Sequence, residues 1–155
     1  MSGFLHRLKT VPPMALSLGL FGLVPFLMGG AGIWLHGLGD LRFALPLITI
    51  AYACLIAGFL GGVRWGAAMQ NKADEKLPRQ LSMAIVPVLV ALVAFTLPLP
   101  QALSLLIVLF VAQAVLDINT VQQGDMMAWY APLRLVLTLI AGLCMSSLLL
   151  HALTQ

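Results

Sequence analysis

Charge is what this sequence has least of. Asp and Glu number five and Lys and Arg eight, together 8% of the chain, where a globular domain carries about 25%. A water-soluble domain of 155 residues could not cover its surface with so few charges, and 61% of the residues are hydrophobic with a mean hydropathy of +1.05. That balance excludes a soluble enzyme domain, a nucleic-acid module and a disordered chain. The net charge of +3 is scattered between apolar runs rather than gathered in a patch, so no nucleic-acid partner is expected. Cysteine is scarce too. Cys54 and Cys144 lie deep in apolar segments without disulfide or zinc spacing, where a thiol behaves as a small hydrophobe. Walker loops, dinucleotide fingerprints and zinc-helix motifs are lacking.

What is present is a series of long apolar runs. About 20 such residues cross a bilayer as a helix, because every backbone polar group must be satisfied within the segment. The sequence predicts an all-α polytopic membrane protein, one domain over residues 1–155, with five transmembrane helices. They fall at about residues 12–35, 43–69, 80–97, 101–118 and 132–152. Pro12-Pro13 opens the first, where a missing N–H costs least. Pro87 lies inside the third and is expected to bend it. Pro98-Leu99-Pro100 forces a tight turn, making spans three and four antiparallel neighbours. The polar run from Asn71 to Lys76 reads as a loop, and so does the segment from Asn119 to Tyr130. A basic start followed by an apolar run too long for a signal h-region reads as a retained span.

Five spans put the termini on opposite sides. Arg7, Lys9, Lys72, Lys76 and Arg79 fall on the N-terminal side and Arg42 alone on the other, so the positive-inside rule makes the N-terminus cytoplasmic and the C-terminus periplasmic, in a bacterial inner membrane. Arg64, Asp117 and Arg134 then share one depth, near the cytoplasmic ends of spans two, four and five. Either both arginines snorkel to the headgroups, or Asp117, too short to snorkel, pairs with one or both of them. Such a cluster would lock three spans together or form a polar vestibule.

Small residues recur every fourth position along span two at Cys54, Gly58, Gly62 and Gly66, with Gly61 beside them. In lipid, such spacing lets a second helix approach closely. Helix packing is therefore expected at Gly58, Gly61, Gly62 and Gly66, against another span or another protein. Trp65, Trp129 and Tyr130 toward one interface and Trp34 toward the other form an aromatic belt. His6, His36 and His151 give no pair facing across the bilayer interior, which excludes intramembrane bis-histidine haem. His36 and His151 share a side and read as solvated interfacial residues. Ser17, Ser104, Ser146 and Ser147 lack a matched intramembrane base. No catalytic, cofactor or metal residue is assigned, and the chain is not expected to be an enzyme.

Phe59-Leu60-Gly61-Gly62-Val63-Arg64-Trp65-Gly66, with Asp117 and the run from Trp129 to Thr138, resembles the transmembrane protein 69-like family of small bacterial and mitochondrial membrane proteins of unknown function. The resemblance runs from about Pro12 to Leu150. It implies a multi-span bundle, carries no activity, and puts Gly61, Gly62, Arg64, Trp65, Tyr130 and Arg134 in motif positions. Two functions follow for test. One is a structural, accessory or assembly component that packs against other membrane helices or a second copy through the Gly58/Gly62/Gly66 face. The other is a small transporter or channel using the polar cluster.

Overall fold

The computed structural model describes residues 10–35, 37, 39–70 and 77–154. Helix α1 covers Pro13–Phe21, α2 Val24–Gly32, α3 Leu41–Gln70, α4 Leu77–Thr96, α5 Leu99–Gln122 and α6 Tyr130–Leu153. Taken together, α1 and α2 form one candidate span of 20 residues; with α3 to α6 this gives five helical segments long and apolar enough to cross a membrane, at mean hydropathies of 1.8 to 2.2. The chain is a multi-pass membrane protein. At 30 residues, α3 is about 45 Å long, well beyond a hydrocarbon core of about 30 Å, so it must tilt or project.

The first span is broken, where the sequence predicts one continuous helix. Pro25 enters at the start of α2, and its ring and missing N–H cannot continue the α1 ladder. The interruption at Gly22-Leu23 leaves the Gly22 carbonyl to another donor, and the Tyr52 hydroxyl of α3 donates to it at 2.8 Å. Past the break, α2 lies against α6 and α3. The second difference is at the end of α5, which continues four residues beyond Ile118 into the expected loop. Gly124, at φ +82°, stops it: its N–H reaches Val121 O at 3.1 Å and the Asp125 N–H reaches Thr120 O at 3.1 Å, the paired bonds of a Schellman ending. Pro98 caps α5, so α4 and α5 turn tightly into antiparallel contact. Helix α4 runs through Pro87 and starts three residues earlier than expected, with Pro78 in its first turn.

Helix α5 is the inner element, touching α3, α4 and α6. Its Ala102, Leu103 and Leu106, with Ala94 of α4 and Met145 of α6, are 0% exposed and fill the half of the bundle away from the charges. In that half α2 and α6 approach so closely that a Cβ on Gly30 would strike the backbone of Cys144. The Ser147 hydroxyl donates to the Gly30 carbonyl at 2.8 Å, and Trp34 Nε1 donates to Ser147 at 3.0 Å.

Candidate functional site

The three charged residues set furthest inside the spans meet. Counting 1.5 Å per residue from the adjoining helix ends, Arg64, Asp117 and Arg134 lie roughly 6–9 Å inside the bundle, on α3, α5 and α6. Arg134 Nε donates to Asp117 Oδ2 at 3.0 Å, and Arg64 Nε lies 3.7 Å from Oδ1. Asp117 is 0% exposed and Arg134 3% exposed. Both arginines therefore turn inward rather than snorkel. A buried carboxylate is tolerated because a charge-assisted bond offsets part of its lost hydration. The Arg134 guanidinium also lies over the Phe110 ring, 5.9 Å from its centroid.

A polar shell surrounds the trio. One turn before Asp117, Gln113 donates to the Ala57 carbonyl of α3 at 3.1 Å. Thr138 follows Arg134 by one turn, and Tyr130 precedes it by one. Among the described residues, the buried side-chain atoms without a hydrogen-bond partner are Arg64 Nη1, Gln113 Oε1, Asp117 Oδ1, Tyr130 Oη, Arg134 Nη2 and Thr138 Oγ1. All six belong to this cluster. Two guanidinium groups share one carboxylate, so the cluster carries one surplus positive charge, and two of its buried guanidinium nitrogens, Arg64 Nη1 and Arg134 Nη2, lack a partner.

Tyr130 stands at the start of α6, and it is half-buried, its hydroxyl turned into the bundle beside Asp117. Trp65 is exposed on the outside of α3, next in sequence to Arg64, and Trp129 packs edge-on against Tyr130. At the opposite end Trp34 meets His151 edge-on, with ring centroids 5.1 Å apart. His6, His36, Arg7, Lys9, Lys72 and Lys76 lie outside the described residues.

The glycines of α3 divide. Gly61 faces the Ala84 carbonyl of α4 with no room for a Cβ, and Gly58 touches Val88 of the same helix at ordinary distance. Gly62 and Gly66 have no neighbour within 4 Å of where a Cβ would stand. Close packing inside the chain thus uses Gly61, while Gly62 is open on the surface. Sequence spacing did not single out Gly29 and Gly30, which let α2 seat on Thr49 and Cys144; their signal was an adjacent glycine pair after a proline break.

Beside the cluster lies a cavity of about 810 Å³ bounded by α1, α3 and α6. Arg134 and Tyr130 line one end and Phe26 and Ala141 the other. Helix α1 packs on α6, and the cavity extends between α1 and α3, where Leu18 and Phe59 are largely exposed.

Residues 11–150 match the family described as Protein of unknown function (DUF3429). The chain is also 30% identical to Transmembrane protein 69 of Xenopus tropicalis over 138 residues, covering 88% of this chain and 54% of that protein. It thus spans about half the length of the curated relative it matches. No solved structure matches it significantly.

Proposed function

Because the chain belongs to the DUF3429 family, whose description assigns no function, we propose from its own geometry that it is a non-catalytic accessory protein of a larger membrane assembly. The observation that carries this reading is the enclosure of Asp117 between two arginines of different helices. The charges that could have served chemistry instead tie α3, α5 and α6 together. Three serine hydroxyls within the spans are engaged as well: Ser17 and Ser104 donate to carbonyls of their own helices and Ser147 to that of Gly30. The dry aliphatic packing of Leu103, Leu106 and Met145 below the cluster argues against a through-going channel.

The docking face is the outer side of α3 at Gly62, where a partner helix meets no Cβ. Gly62→Leu should leave the monomer's helicity and thermal stability unchanged, since nothing occupies the space it enters. It should abolish the larger species seen by native mass measurement after mild-detergent extraction. Persistence of that species in the variant, or a strictly monomeric wild type without crosslinked adducts, would remove the accessory reading. Flux of protons or small anions in reconstituted vesicles, lost in Asp117→Asn, would favour the transporter instead.

For orientation we propose a cytoplasmic N-terminus in a bacterial inner membrane. Arg79 near the start of α4, with Lys72 and Lys76 before it in sequence, outweighs Arg42 at the opposite end of α3. A periplasm-dependent phosphatase fused after His151 should be active, and the same reporter placed between Gln70 and Leu77 inactive; the reverse pattern would invert the assignment.

A further inference from the structure

We propose that the cavity between α1, α3 and α6 holds one anionic phospholipid from the leaflet on the Arg134 side, one acyl chain inside and its phosphate on the surplus positive charge of the Arg64/Asp117/Arg134 cluster. This stands independently of any accessory role.

Depth comes first. From Tyr130 to Ala141 the α6 wall extends about 17 Å, close to half of a hydrocarbon core of about 30 Å. The cavity therefore reaches from one interface to the midplane, the span of a single leaflet. At about 810 Å³ it lies within the roughly 300–1,000 Å³ range of small-molecule sites. That volume takes one chain with its glycerol and phosphate, while the cleft between α1 and α3 leaves the second chain in the bilayer.

Polarity follows the same axis. The deep end, at Phe26, Leu137 and Ala141, is apolar. Its floor is closed by edge-on contacts of Phe26 with Tyr52 and Phe110 and by the Tyr52 bond to Gly22. The shallow end carries Tyr130, Trp129 and Arg134, the last 3% exposed with Nη2 lacking a partner. A cation in low dielectric with an unused donor selects an anion. Asp125 is the one carboxylate on this rim among the described residues, and Gln80 Nε2 engages it at 3.4 Å. The residues at the shallow end lie within the first turn or so of α6, at the end of that span.

Gly66 supplies the test. It lines the cavity, and a Cβ there meets nothing within 4 Å, so Gly66→Leu should plug the site without disturbing helix packing. Wild type, Gly66→Leu, Ala15→Leu on the α1 wall, and Gly62→Leu would each be reconstituted in vesicles of equal parts phosphatidylglycerol and phosphatidylcholine. They would then be extracted in a delipidating detergent and weighed by native mass spectrometry. Wild type and Gly62→Leu should retain one phosphatidylglycerol per chain, and both plug variants should lose it by about tenfold or more. Phosphatidylglycerol vesicles should raise the melting temperature of the wild type but not of Gly66→Leu. Equal retention of the two lipids, undiminished retention in the plug variants, or a free fatty acid in place of the phospholipid would overturn the proposal. Because Gly62→Leu reports on association and Gly66→Leu on lipid, either idea can fail alone.

Discussion

Asp117→Ala is expected to cost about 3–5 kcal/mol of folding stability, the penalty for removing one partner of a buried ion pair. The variant would leave two guanidinium groups facing each other across α3, α5 and α6. Arg134 loses its 3.0 Å bond, and Arg64 loses the charge 3.7 Å away. Neither has another carboxylate partner among the described residues. Against a typical total of roughly 5–15 kcal/mol, that loss should be visible as poor expression and early aggregation on heating. Asp125→Ala is the control: its carboxylate is only partly buried and has one long bond, 3.4 Å, to Gln80 at the rim, so a change within about 0.5 kcal/mol is expected. The two variants would be compared by the fraction remaining monodisperse after heating in detergent. If they behave alike, Asp117 does not hold the bundle together.

The arginines should rank as their distances do. Arg134→Gln, which breaks the shorter bond and the Phe110 contact, should destabilise more than Arg64→Gln, which leaves a neutral one-to-one pair and removes like-charge repulsion. Adding Arg134→Ala to Asp117→Ala should recover part of the loss, a coupling that a double-mutant cycle would measure directly. Additive losses would show that the two side chains act separately.

How much of this was legible in the sequence depends on which interaction decided each feature. The number of spans follows from bilayer thickness acting on apolar length, and all five appear near their expected bounds. The shared depth of Arg64, Asp117 and Arg134 was legible from the same span bounds: each lies near one end of its span, and successive spans alternate in direction, which brings those ends to one side. Their mutual contact could only be posed as an alternative to snorkelling, because it depends on which helices are neighbours, and the connections constrain that only between spans three and four. The inward turn of Tyr130 was hidden by its company. Beside Trp129 it looks interfacial, but one helical residue is 100° of rotation, enough to turn its hydroxyl inward. Pro25 and Gly124 were both written in the sequence as a break and a stop, and each shifted a boundary where the apolar run alone gave no reason to end or to continue.

Glycine shows best where periodicity stops being informative, and it gives the second large effect. The four-residue stripe in α3 singled out one face, yet the neighbour that needs a missing Cβ is the Ala84 carbonyl, opposite Gly61. A second such place is Gly30, where the obstruction is the backbone of Cys144. Backbone cannot rotate aside as a side chain can, so the helices themselves must separate. Gly30→Leu is accordingly expected to push α2 off α6, at a cost of about 1–3 kcal/mol or more for overpacking, together with the Ser147 bond to the Gly30 carbonyl. Loss of that seat should release Trp34, whose indole donates to Ser147. In a background with Trp65 and Trp129 replaced by Phe, the remaining Trp34 emission should shift, and the melting temperature should fall well below that of Gly62→Leu. Gly61→Leu should do the same to the α3 and α4 pair without moving Trp34 emission. Should Gly30, Gly61 and Gly62 tolerate leucine equally, close backbone approach is not what holds these helices, and the cohesion of the bundle would rest on the ion cluster and side-chain packing alone.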